Sequence, residues 1–243
     1  MISKNYKIAG KVIEVNSIYE SVHEYCKDYL TDEKADFSVT TTRKDIDFES
    51  EKSAREAVAE GLPVHSYSDD YLEELAVYRK IAVNMIQYDT ILFHGSVIAV
   101  DGQGFLFTAK SGTGKSTHTR LWREMLGEKA VMVNDDKPLL KITDDAVIAY
   151  GTPYNGKHRL GNNMSVKLKG ICILTRAEKN SITKITKSEA YAMLLQQVYR
   201  PADGENLSKT LMLIDKLAKN TDLYRLGCNM DIEAAEVAYN GMK

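Results

Sequence analysis

Apolar positions along the chain alternate between two textures: short β-rich runs, and spacings of three and four that suit one face of a helix. "YKIAGKVIEV" predicts an opening strand and "YESVHEYCKDYL" a helix after it. "DFSVTTTRKDI" predicts a further strand, and "FESEKSAREAVAE" a charged helix ended by Gly61 and Pro63. Tyr71, Leu75, Tyr78, Ala82 and Met85 then mark the apolar face of a helix running to Tyr88.

Beyond Tyr88 the texture becomes richer in β-structure. "ILFHGSVIAV" and "GFLFTA" flank "DGQ" as a hairpin, and "THTRLWREML" reads as a helix. "KAVMVND" predicts a strand, "PLLKI" and "AVIAY" a second hairpin around "TDD", and "GICILT" a buried strand. Helices are expected over "SEAYAMLLQQVY" and "LSKTLMLIDKLAKN", the second with Leu207, Leu211, Ile214 and Ala218 on one face. A last strand, "DLYRLGC", and a helix, "DIEAAEVAYNGM", close the chain. The boundary falls near Tyr88. Residues 1–88 form a small N-terminal α/β lobe, a candidate for acceptor recognition, and residues 89–243 an α/β domain carrying every chemical motif. No proline- or glycine-rich linker separates them, so tight packing is expected.

Composition narrows the class. The 243 residues are 44% hydrophobic and 27% charged, enough for one sizeable core plus a small lobe. A net charge of -2 with both signs mixed offers no surface for nucleic acid or for a membrane. Met1 to Ser17 lacks the apolar run of a signal peptide, and no apolar stretch is long enough to span a bilayer. Cys26, Cys172 and Cys228, odd in number and far apart, read as reduced thiols. The expectation is a soluble cytoplasmic protein.

The candidate chemistry begins in "TAKSGTGKSTHTRLW". A phosphate loop needs glycines that let successive amides turn around an anion, a lysine for the outer phosphates and a hydroxyl for Mg2+. Ser111, Gly112, Thr113, Gly114, Lys115, Ser116 and Thr117 supply these between a β-run and a helix. The strict pattern has glycine where this chain has Ala109, which predicts a slightly different entry into the loop. Downstream, "AVMVNDDKP" delivers Asp135 and Asp136 at the end of an apolar strand. One carboxylate there serves the metal while the other accepts a hydroxyl proton. Which does which stays open in the sequence.

"HGSV" with His94, then "SGTGKS", then "NDD" resembles the catalytic domain of HPr kinase/phosphorylase and the nucleotide core of ATP-dependent phosphoenolpyruvate carboxykinase. The loop is also similar to that of the kinases that phosphorylate lasso peptides, which have a non-glycine first position. The resemblance spans Leu92 to Cys228. It implies a carboxykinase/HPr kinase-like P-loop domain with a mixed sheet, ATP and Mg2+ (or Mn2+) as cofactors, and a possible homo-oligomer. By motif it implies Lys115 on the phosphates, Ser116 and Asp136 on the metal with His94 as a further ligand, and Asp135 or Asp136 as base. The N-terminal lobe does not match the regulatory domain of HPr kinases, and no counterpart of their segment for the reverse reaction stands out. The chain is also short for a carboxykinase.

"GTPYNGKHRLGNN" places Lys157, His158 and Arg159 as either a solvated basic turn or cations that reach the γ-phosphate or an acidic acceptor. Arg176 follows a strand and is either a site-edge residue or a surface partner of Glu178 or Asp203. His118 and Trp122 read as packing residues, and Lys137 as a solvated neighbour of the acidic pair. The expected activity is transfer of the γ-phosphate of ATP to a hydroxyl, serine foremost, on a peptide, protein or small molecule. The alternatives are a nucleotide-binding switch without catalysis and a carboxykinase-type lyase.

Overall fold

Ala9 and Gly10 break the opening apolar run in two. Both take left-handed backbone, with φ of 50° and 75°, as a two-residue hairpin turn requires. Strands β1 (Ile2–Ile8) and β2 (Lys11–Ser17) therefore pair antiparallel in the computed structural model, which describes residues 1–59 and 61–243. The single strand expected over Tyr6–Val15 is corrected; alanine at the first turn position lacks the usual hairpin signature. The expected helix "YESVHEYCKDYL" is short: α1 covers Ser21–Tyr25, followed by a tight turn. β3 (Phe37–Thr40) joins β2 in parallel and stops well before the expected Ile46. Asp45 ends it by accepting the amide and hydroxyl of Thr42, both at 2.9 Å, and so starting α2 (Arg43–Ala59). Residue 60, the last of that predicted helix, lies outside the described residues.

Helix α3 (Asp69–Met85) buries Tyr78, Ala82 and Met85 of the expected face, together with Leu72, Glu73, Ala76, Val77 and Ile81, while Tyr71 is 43% exposed. A charge interrupts the buried stripe: the Glu73 carboxylate accepts the amides of Ile18 and Tyr19 at 2.8 Å and the Thr41 hydroxyl at 2.5 Å. With these three hydrogen bonds it stays in the interior with no lysine or arginine ion pair among the described residues.

The chain divides into two compact units, Met1–Asn84 and Met85–Lys243. The second is built on a mixed sheet of β4 (Thr90–Leu92), β5 (Ser96–Val100), β6 (Gln103–Thr108), β7 (Val131–Asn134), β8 (Leu139–Ile142), β9 (Val147–Tyr150) and β10 (Ser165–Arg176), with β11 (Ser181–Lys184) and β12 (Asp222–Cys228) at one side. Its path is β4-β8-β9-β10-β6-β5-β7. Both expected hairpins form, β5–β6 and β8–β9, and Asp101 and Gly102 take the left-handed turn of the first. β6, β10 and β12 run parallel; the other pairings are antiparallel. β10 is twice the length of the expected "GICILT" because one of its edges serves two partners: β9 against Ser165–Lys167 and β12 against Gly170–Arg176. The short strand β11 carried no apolar signal, being mostly exposed.

Period-2 alternation sends side chains to two cores. Val97, Leu106, Ile171 and Ile173 cluster with residues of α5 (Lys187–Gln197) and α6 (Gly204–Asn220). On α6 the buried positions include Leu213, Ile214 and Leu217, whereas Leu211, expected inward, is 37% exposed. Ile98, Phe105, Phe107, Cys172 and Leu174 cluster with α4 (Lys115–Leu126) and α7 (Glu233–Met242). A sheet so covered is a layered α/β fold. Among the described residues no helix is long and apolar enough to cross a membrane.

The second core holds a pH-sensitive element. Trp122 Nε1 donates to His118 Nε2 at 3.0 Å, and Phe107 packs edge-on against the imidazole. Burial pushes the His118 pKa down from 6.5 to about 4. The unfolded chain therefore takes up this proton first as pH falls below 6.5, and the associated stability, fully present above 6.5, is lost on the way to 4. Chemical unfolding of wild type should lose about 2 kcal/mol more than His118→Gln between pH 7.5 and pH 5; parallel losses in the two proteins would contradict this assignment.

Candidate functional site

The carboxyl ends of the parallel strands β6, β10 and β12 carry three loops that meet. They are the glycine-bearing loop after β6, Arg176–Ala177 at the end of β10, and Asn229–Met230 beyond β12. Ligands of α/β folds collect at this edge. Here a cavity of about 500 Å³ is lined by Gly112, Thr113, Gly114, His118, Arg176 and Met230, among others.

Both ends of the glycine-bearing loop are fixed and its middle is open. Ala109 is fully buried in the second core and is absent from the left-handed residues, so its Cβ costs nothing at that position. The different loop entry expected there resolves into this ordinary backbone. Left-handed geometry falls instead on Gly112 (φ 73°) and Gly114 (φ 124°), neither with an atom within 4 Å of an added Cβ. Lys115 opens α4, so the loop amides and the positive end of the helix dipole share one place. Arg176 docks on the loop, donating to the Gly112 carbonyl at 2.6 Å and toward that of Thr113 at 3.4 Å. Turning these carbonyls toward a guanidinium keeps them out of the loop's centre, although the Thr113 amide donates to the Lys110 carbonyl at 3.2 Å. Of the two readings of Arg176, the site-edge one fits.

Asn134, buried at the end of β7, shapes the acidic turn. Its Oδ1 accepts the amides of Asp136 at 2.9 Å and Lys137 at 2.7 Å, while Nδ2 donates to Thr152 Oγ1 at 3.1 Å. The Thr152 hydroxyl in turn reaches the Lys137 carbonyl at 3.0 Å. The aspartates diverge. Asp136 Oδ1 lies 3.4 Å from His94 Nε2, and its Oδ2 lies 3.8 Å from Lys137 Nζ. Burial acts to raise the Asp136 pKa. The His94 hydrogen bond and the charges of Lys137, His94 and Lys115 outweigh it and hold the carboxyl below its ordinary value. Burial likewise pushes the Lys115 ammonium down, with Asp136 pulling it partly back. Lys137, read as a bystander, thus belongs to the carboxylate's surroundings.

Asp135 faces elsewhere. Its Oδ1 accepts the Gly156 amide at 2.8 Å, and its carbonyl accepts the Ser96 hydroxyl at 2.8 Å. With Ser116, Arg120, Arg123, Lys157 and His158 it lines a second cavity, of about 630 Å³. Thr117 borders both cavities. Ser111 is exposed at the loop's start and lines neither; Arg159, left-handed and exposed, also stands outside both walls, while its neighbours Lys157 and His158 enter the second.

His94 is positioned through its backbone at the break between β4 and β5. Its amide donates to the Gln197 carbonyl at 2.7 Å, and its carbonyl accepts the Thr108 hydroxyl at 3.0 Å. The Gly95 amide meets the Asp136 carbonyl at 2.9 Å. Among the described residues no three His, Cys, Asp or Glu side chains gather into a metal cage. The oxygens of Ser116 and Asp136 are hard ligands of the kind Mg2+ takes when phosphates and water complete its shell, and the His94 nitrogen suits Mn2+ as well. His118 and Trp122 are core residues, as their sequence context suggests. Asn134 and Gly156 were missed: a buried asparagine and a glycine amide carry no chemical signature in sequence.

No curated protein matches the chain. Among solved structures it is similar to the HPr(Ser) kinase/phosphatase from Coxiella burnetii, at 12% identity and a TM-score of 0.34, over 62% of this chain and 95% of that one. At that score the topology above stands on its own contacts. A family model described as SynChlorMet cassette protein ScmC matches residues 69–230, which include the glycine-bearing loop, the acidic pair and the end of β12. The chain belongs to the ScmC family.

Proposed function

We propose that this chain is an ATP- and Mg2+-dependent kinase that transfers the γ-phosphate to a hydroxyl, with serine the first candidate. The observation that carries the reading is the placement of two differently partnered aspartates beside an open glycine-bearing loop at a helix N-terminus. The domain is read as a carboxykinase/HPr kinase-like P-loop fold.

In this reading the amides of residues 112–116 and the Lys115 ammonium hold the β- and γ-phosphates. Bound Mg2+ supplies charge neutralisation of the phosphoryl oxygens. Ser116 and Asp136 hold that ion, and His94 fixes the Asp136 carboxylate or joins the ligand set. Asp136 suits this role because its surroundings favour the ionised form. Asp135 is the base: Gly156 anchors one oxygen, and the other takes the proton of a hydroxyl entering from the second cavity. The 500 Å³ cavity, with Leu174, Ala177 and Met230 in its wall, receives the nucleoside. Arg176 holds the loop open for the anion.

Lys115→Ala should lower the rate of label transfer from γ-labelled ATP by about a hundred- to a thousandfold while the thermal unfolding midpoint stays near that of wild type; a folded variant with wild-type transfer would remove the mechanism. Asn134→Ala should release the acidic turn and cost about a hundredfold in kcat, with nucleotide affinity largely kept, since the loop itself is untouched. Titration calorimetry alongside the transfer assay separates the two effects, and a loss confined to nucleotide affinity would place Asn134 in a different role.

A further inference from the structure

The second cavity has a chemical character that the kinase reading does not require. Four cationic side chains line it, Arg120, Arg123, Lys157 and His158, His158 when protonated, against the one carboxylate of Asp135. Ser116, Arg120 and Arg123 recur at spacings of four and three, so they form one face of α4. Loop residues Lys157 and His158 line the same cavity. Arg120 pairs with Glu124 one turn on. Among the described residues no ion pair within 4.0 Å engages Arg123, Lys157 or His158.

The nucleotide does not account for this wall. Arg123 lies eight residues beyond Lys115, about 12 Å along the helix. A γ-phosphate held at the loop is out of its reach. A ligand that runs along this face of α4 to Arg123 must therefore be extended, and a peptide covers about 12 Å in about three to four residues. Arginine forks match carboxylates in bidentate geometry, and two of them one turn apart present a track rather than a point.

We infer that the second cavity binds an acidic peptide segment, with carboxylates on Arg120, Arg123 and Lys157 and a hydroxyl residue at Asp135. The inference rests on the kinase reading for the fate of that hydroxyl, but the binding itself does not depend on ATP. It narrows the acceptor from any alcohol to a serine or threonine with acidic neighbours. The cations of this lining keep basic sequences out by repulsion.

The test is equilibrium binding of three seven-residue peptides to the full chain, each with a central serine, flanked on both sides by aspartates, alanines or lysines. The aspartate peptide should bind at least tenfold more tightly than the alanine peptide at low salt, and the lysine peptide most weakly. In the double variant Arg120→Gln, Arg123→Gln that preference should shrink to under threefold, with the unfolding midpoint and MgATP affinity unchanged. Equal binding of the aspartate and alanine peptides, or an undiminished preference in the double variant, would overturn the inference. MgATP affinity of wild type, measured in the same experiment, reports on the kinase reading separately. If MgATP fails to bind while the acidic preference persists, the kinase reading falls and the peptide site stands.

Discussion

A loop can wrap an anion only if its ends are held and its carbonyls are turned away from the space the anion takes. That constraint organises the second unit. Ala109 is sealed in the core at the end of β6, and Trp122 pins α4 against Phe105 and Phe107, so the intervening residues cannot drift. Arg176 then takes two carbonyls of the loop from the neighbouring strand β10. Without that arginine, the carbonyls would compete for the space where amides must converge. The parallel arrangement of β6, β10 and β12 makes the contact possible, because it brings the end of β10 beside the end of β6.

The same economy governs the acidic turn. Adjacent aspartates repel each other and would splay in solvent. Here one buried amide side chain fixes the backbone beneath them, and each carboxylate has its own neighbours: His94 and Lys137 for one, the Gly156 amide for the other. Separate surroundings are what allow two chemically identical groups to differ in role. In the proposed reading, the cationic wall beyond Asp135 extends this logic from the acceptor hydroxyl to the peptide that carries it.

Much of the second unit is legible in the sequence, because its strands are apolar runs bounded by turn residues and its motifs are local. "DGQ" and "TDD" announce their hairpins, and "SGTGKS" and "NDD" their neighbourhood. The first unit is less legible. Its opening hairpin turns on an alanine, its third strand yields to a helix through an aspartate–threonine contact, and its long helix buries a glutamate that breaks the apolar stripe. In the site, the loop and the acidic pair are visible as motifs, but the divergence of the two aspartates is not. It depends on Gly156 and His94, which lie 21 residues after Asp135 and 42 residues before Asp136. Pairings across the fold have no periodicity to betray them.

The central claim is that the amides of residues 112–116 receive a triphosphate. Amide hydrogen exchange over residues 110–118, with and without saturating MgATP, tests it directly. The account predicts exchange in that segment slowed by at least tenfold, with little change in α6. Unaltered exchange in the loop under conditions where nucleotide is bound would contradict it.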